Sequence, residues 1–123
     1  MSNSELRRFG DVIREARLRI TPPLSLRKFA EKLDLAAAYV SKIESNQDRP
    51  PAADKVEKMA DLLGLEKYGL LHLANRLPTM MEEAFRRDTR AVEYMRVAMK
   101  SGFSPEELEQ MIIEYHTREA SHK

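Results

Sequence analysis

The sequence predicts an all-α protein. Apolar residues recur three and four positions apart along most of the chain, and no stretch sustains the period-two alternation of a half-buried strand. The helix breakers also fall between the apolar runs: prolines stand at Pro22-Pro23, Pro50-Pro51, Pro78 and Pro105, and Gly64 and Gly102 sit where helices should stop. Proline is excluded from a helix interior but tolerated in its first turn, so these positions mark boundaries.

The first helix is expected from about Glu5, with Ser4 as N-cap, to about Arg19. Leu6, Phe9, Ile13 and Ala16 form its apolar face. After a Thr21-Pro-Pro-Leu turn, Ser25 caps a second helix that turns Leu26, Phe29, Ala30 and Leu33 inward. Asp34-Leu35 make a tight turn into a third helix, about Ala37 to Ser45, with Val40 and Ile43 inward. A loop from Asn46 to Pro51 leads to a fourth helix capped near Ala53 or Asp54. Its Val56, Met59, Ala60 and Leu63 repeat the pattern until Gly64 ends it.

A fifth helix is expected from Glu66 to about Leu77, with Leu70, Leu71 and Leu73 on one side. Thr79 can cap a short helix through Phe85, and Asp88 or Thr89 another that runs to Lys100. Ser104-Pro-Glu-Glu is the clearest start signal: a Ser N-cap, Pro at the first helical position and Glu at the third, with acidic residues at the positive helix end. The last helix then runs from Pro105 to about Glu119, with Leu108, Met111, Ile112 and Tyr115 in one stripe. The division that follows is an N-terminal helical region at residues 1–77 and a C-terminal helical dimerisation or interaction region at 78–123.

Composition excludes several classes. Hydrophobic residues at 42% and charged residues at 33% suit a globular protein rather than a disordered one. The chain has no cysteine, which removes disulfides and thiolate metal sites. No apolar run approaches the roughly 18 residues of a membrane span. The first residues lack the basic and apolar regions of a signal peptide, so the expected location is cytoplasmic. The net charge of +1 does not announce a nucleic-acid binder. Residues 1–64 hold 12 Lys/Arg against 10 Asp/Glu, and residues 65–123 hold 9 against 10. Any case for DNA must therefore rest on where the bases sit.

Two short helices joined by a tight turn and flanked by further helices have the geometry of a DNA-reading helix-turn-helix. The second must be short and apolar on one side only, so that its other side can enter a groove about 12 Å wide. The segment from Ala36 to Asn46 fits, with Ala37, Ala38, Ser41, Lys42 and Ser45 facing out. Geometry alone leaves the question open, because any three-helix bundle offers such a hairpin.

The residues themselves go further. SLRKFAEKLDLAAAYVSKIE, from Ser25 to Glu44, resembles the core of the Cro and lambda-repressor (XRE) family of transcriptional regulators. The likeness begins at Phe9-Gly, continues through Arg49-Pro-Pro and ends with VEKMADLLGL at Leu65. It implies a five-helix lambda-repressor-like DNA-binding domain followed by a helical C-terminal extension. The third helix would lie in the major groove of double-stranded DNA, and dimers would span two half-sites. By position, Ala37, Ala38, Ser41 and Lys42 would face bases. The backbone amide of Leu26 and the side chains of Arg27 and Lys28 would meet phosphates, with Tyr39, Asn46, Gln47 and Arg49 holding others. The resemblance also implies that Arg17 and Glu44 pair beneath the recognition helix; the alternative leaves both solvated.

The chain departs from the family pattern in three places. Ala37 and Ala38 stand where amide-bearing residues such as Gln are common, and alanine can contact a thymine methyl but cannot read donors and acceptors. Ala36 replaces the usual capping Ser or Thr. The turn at Thr21-Pro22-Pro23 is about two residues longer than is typical. Readout then falls on Ser41 and Lys42, and weaker, more shape-dependent specificity is expected.

The remaining features point to bland roles or to association. His72, His116 and His122 lack zinc-ligand spacing and belong to solvated or capping positions, so no metal or cofactor is expected. Paired carboxylates, a nucleophile with its base, and a phosphate loop are all missing, so no enzyme is expected. Met80, Met81, Met95, Met99 and Met111 add apolar surface beyond what a 60-residue domain can cover, which favours a homodimer through the C-terminal helices. The resulting expectation is a repressor acting on a two-fold symmetric operator. The competing one is an antitoxin or other interaction module whose C-terminal helices bind a partner protein.

Overall fold

The computed structural model of the chain describes residues 8–121, without the side chains of Leu108, Ile112 and Tyr115. Among the described residues there are eight helices and no strand. They are α1 (Phe9–Arg19), α2 (Leu26–Leu33), α3 (Ala37–Glu44), α4 (Ala53–Leu63), α5 (Lys67–Leu73), α6 (Thr79–Arg87), α7 (Thr89–Lys100) and α8 (Pro105–Ser121). The chain divides into two compact units at residues 82 and 83.

The first unit holds one core. α1 packs on α3 and α4, α2 on α3 and α4, and α4 on α5. Ile13, Phe29, Leu33, Val40, Ile43, Val56, Met59 and Leu71 are fully buried. Each such side chain contributes about 1.5–3 kcal/mol when removed from water, so five short helices that would fray alone hold one another in place.

Local chemistry sets the element ends. The Ser25 hydroxyl accepts the Lys28 N–H at 3.2 Å and starts α2. Asp34 ends it in the left-handed region at φ 58°, with its N–H returned to the Ala30 and Glu31 carbonyls. Lys55 then donates to the Leu33 carbonyl at 2.7 Å, placing a cation at the negative end of α2. Gly64 at φ 67° stops α4, a conformation in which a Cβ is strained.

Several boundaries differ from the sequence expectation. α1 begins at Phe9, not Glu5: Arg8 is extended, and its N–H donates to the Asp11 carboxylate at 3.3 Å, which ends the helix from inside. Ser4, Glu5 and Leu6 lie outside the described residues. The cap of α4 is Ala52, which offers no side-chain acceptor, rather than Ala53 or Asp54. α5 stops at Leu73 instead of Leu77. Asn75 turns left-handed at φ 58°, burying Ala74 and leaving Leu73 exposed. Thr79 opens α6 rather than capping it, because its hydroxyl and N–H both donate to the Glu57 carboxylate, at 2.7 and 3.1 Å. α6 also continues past Phe85 to Arg87.

In the second unit, Asp88 caps α7 by accepting the Arg90 N–H at 2.9 Å. Ser104 and Glu107 form a reciprocal capping box at the start of α8. α7 has no buried residue; Val92, Tyr94, Val97 and Met99 are all more than half exposed. On α8, Met111 and Ile113 are half exposed, while the other members of the expected stripe lie outside the described side chains. Among the described residues, no helix is long and apolar enough to cross a membrane.

Candidate nucleic-acid interface

α3 buries Val40, Ile43 and Glu44 and exposes Ala37, Ala38, Ser41, Lys42 and Ser45. At 3.6 residues per turn, positions 37, 38, 41, 42 and 45 share one side of the helix. The four base-facing candidates therefore lie together on its open face. Three of them are small, so the helix axis can come close to whatever it meets, and Lys42 supplies the charge.

Underneath is a buried ion pair. Arg17 on α1 donates from Nε to Glu44 Oε2 at 2.7 Å and from Nη2 to Glu44 Oε1 at 2.8 Å, two parallel charge-assisted bonds. Its Nη1 donates to the Leu24 carbonyl at 2.9 Å, which pins the turn before α2 to the same guanidinium. The hydrogen bond to Glu44, with the carboxylate's charge adding to it against the pull of burial, raises the Arg17 pKa above the ordinary arginine value.

The two ends of α3 differ. Ala36 gives its first turn no side-chain cap, and the Tyr39 N–H returns to the Ala36 carbonyl at 3.1 Å. At the far end the Ser45 hydroxyl donates back to the Ser41 and Lys42 carbonyls, at 3.0 and 3.2 Å, and the Gln47 N–H returns to the Lys42 carbonyl at 2.9 Å.

Leu26, at the start of α2, borders a cleft of about 320 Å³ with Ser41, Ser45, Arg14, Arg17 and Glu44. A helix N-terminus presents amides with partial positive charge, so this cleft joins the start of α2 to the open face of α3. Arg27 and Lys28 are exposed in the same turn of α2. Arg14 was not singled out in the sequence; its signal was its place three residues before Arg17 on one helix.

The flanking candidates separate. Gln47 and Arg49 are exposed. Tyr39 is half-buried and packs against the core. Asn46 directs its amide inward: its Oδ1 accepts the Gly10 N–H at 3.0 Å and its Nδ2 donates to Asp11 Oδ1 at 2.9 Å. Arg76 is a further residue that sequence reasoning missed. It donates to the Pro51 carbonyl at 3.0 Å and the Pro50 carbonyl at 2.7 Å, tying down the loop that carries Arg49. Among the described residues no group of His, Cys, Asp and Glu could hold a metal ion. His72 and His116 are exposed, and His122 lies outside the described residues.

Residues 13–70 match the helix-turn-helix family HTH_3. That segment is an XRE-family helix-turn-helix domain. It spans α1 from Ile13 through most of α5, so the Arg17–Glu44 platform, α2 and α3 all fall inside it. No curated protein matches the chain. Among solved structures it is similar to the SinR protein/SinI protein complex, at 26% identity over 91% of this chain and 98% of that one, with a TM-score of 0.46. It is also similar to the master regulator for biofilm formation SinR in complex with DNA. There the identity is 32% over 51% of this chain and 97% of that one, with a TM-score of 0.45.

Proposed function

We propose that this protein is a sequence-specific DNA-binding transcription regulator that lays α3 in the major groove of double-stranded DNA. One observation carries the reading. Ala37, Ala38, Ser41 and Lys42 share the uncovered side of a short helix whose other side is locked to the core by Val40, Ile43 and the Arg17–Glu44 pair. A helix held this rigidly, with one bare face of small and basic side chains, suits a groove.

In this reading Lys42 approaches guanine O6 and N7, Ser41 reads a neighbouring base, and the two alanines lie against thymine methyls. The Leu26 amide with Arg27 and Lys28 meets one phosphate track, and Gln47 and Arg49 meet another. The protein acts in the cytoplasm as a homodimer through residues 78–123, on half-sites roughly 34 Å apart, and represses by occupying a promoter. The exposed apolar side chains of α7 favour that association. They equally favour the second reading, an antitoxin-like module in which the C-terminal helices bind a different protein and DNA binding is autoregulatory.

The test is selection of binding sites from a random duplex library with the full chain, followed by light scattering of the free protein and of its complex. A two-fold symmetric motif bound by a dimer is expected. Failure to enrich any sequence above background would overturn the DNA-reading proposal, and a monomer under all conditions would overturn the dimer.

A further inference from the structure

Asn46 sits just past the end of α3, at φ 62°, a left-handed conformation that asparagine tolerates better than most residues. The family resemblance makes this side chain a candidate for a phosphate beside the groove. Its polar atoms are engaged elsewhere. Oδ1 accepts the N–H of Gly10 in the first turn of α1, and Nδ2 donates to Oδ1 of Asp11. The other Asp11 oxygen accepts the Arg8 N–H at the helix start. One carboxylate and one amide thus tie the first turn of α1 to the residue just past the end of α3, across 35 and 36 positions of sequence.

Gly10 makes the contact close. A Cβ placed on it would stand 2.6 Å from Asn46 Oδ1 and 2.8 Å from the Glu44 carbonyl, and closer still to the Ile43 carbonyl. The last two are backbone atoms of α3, so any side chain at position 10 must push the recognition helix away. Glu44 is already fixed from the other side by Arg17. The trailing end of α3 is therefore held at two points on α1: the guanidinium of Arg17, and the Gly10–Asp11 turn through Asn46.

We infer that Asn46 is a positioning residue: with Asp11 and Gly10 it sets the angle at which α3 leaves the core, and it makes no phosphate contact of its own. The inference rests on the proposed DNA reading, but it separates from that reading experimentally. A phosphate contact contributes to every duplex and to the salt slope, whereas a positioning contact contributes only to the sequence that α3 must fit.

The experiment measures affinity for the best duplex recovered by selection with the wild-type chain, and for a scrambled duplex of equal length, across a salt series. Asn46→Gly keeps the left-handed backbone and removes the amide. It should weaken selected-duplex binding roughly tenfold, the weight of about one base contact. Scrambled-duplex binding and the salt slope should stay unchanged. Gly10→Ala, which leaves the Asn46 side chain itself in place but crowds it and the Ile43 and Glu44 carbonyls, should give the same pattern. Asn46→Asp sets two carboxylates face to face and should be as weak. Asp11→Asn combined with Asn46→Asp restores one amide and one carboxylate with the roles exchanged, and should recover most of the selected-duplex affinity.

A salt slope lower by about one for Asn46→Gly, with equal loss on both duplexes, would make Asn46 a phosphate contact and overturn the inference. So would an exchange variant no better than Asn46→Asp alone. Urea unfolding without DNA tests the same contacts independently: the exchange variant should regain stability that Asn46→Asp loses, and absence of that recovery counts against the pairing. If the wild-type chain binds both duplexes equally, the DNA reading fails instead, and only the unfolding result then bears on the pairing.

Discussion

Arg17 and Glu44 meet fork to fork, at 2.7 and 2.8 Å, with their side chains only 10% and 6% exposed. Burying two charges this deeply is costly, and attraction offsets the cost only where both partners and their hydrogen bonds are complete. Here they are: the third Arg17 contact, to the Leu24 carbonyl, leaves the guanidinium well satisfied. The pair lies under α3, so its integrity and the pose of that helix are one question.

Removing one partner should be severe. Glu44→Ala leaves an uncompensated guanidinium and should cost about 3–5 kcal/mol in urea unfolding. Replacing both residues, Arg17→Met with Glu44→Leu, should cost less than the single change, since no lone charge remains. A single variant as stable as the parent would show that the pair does not carry the fold.

Base readout and phosphate contact should separate at two exposed cations. Lys42→Ala should relax sequence preference at one position of each half-site, by about 1–3 kcal/mol of discrimination. Arg49→Ala should weaken all duplexes alike and lower the salt slope by about one. Fluorescence anisotropy on selected and scrambled duplexes reads both, and an exchange of the two behaviours would reverse the assignment.

Arg76 holds the loop before α4 through the Pro50 and Pro51 carbonyls. Hydrogen bonds from a charged donor are worth about 1.5–3 kcal/mol, and partial exposure here should reduce the effect to about 1 kcal/mol. Arg76→Ala should therefore lower stability slightly while speeding hydrogen exchange of the amides at residues 47–49 and 52. Unchanged exchange there would rule out the tether.

The start of α7 should respond to acid. Hydrogen bonds from the Arg90 side chain, and then from its backbone N–H, hold the Asp88 carboxyl below its ordinary value. A carboxyl depressed on folding contributes its full stabilisation above the unfolded pKa and loses it as pH falls through the folded one. Exchange protection at the first amides of α7 should thus hold through neutral pH and fall below about pH 4. Asp88→Asn keeps an acceptor at the cap and should abolish that pH dependence; an acid response persisting in the variant would place its origin elsewhere.

Much of this could be read from residue order alone. The apolar spacing around Phe29, Val40 and Val56 marks the helices that bury them, and Ser25, Ser104 and Gly64 mark ends, because caps and left-handed stops act within four residues. That Ala37, Ala38, Ser41 and Lys42 share a side follows from helix geometry, and family resemblance supplied their order. Ends governed by distant partners were not legible. Thr79 reads as a cap until Glu57 captures its hydroxyl, and α5 reads through to Leu77 until Asn75 turns left-handed and Arg76 reaches back to Pro50 and Pro51.

What residue order determined is which stretches become helix and which face of each is apolar, since both depend on neighbours a few positions away. What only the tertiary structure decided is the fate of individual polar groups. Asn46 looks like a free amide beside a groove, yet it is occupied by Gly10 and Asp11 from the far end of the domain. A hydrogen bond is satisfied by whichever partner the packed core brings within about 3 Å, and no local pattern encodes a partner that arrives from 36 residues away.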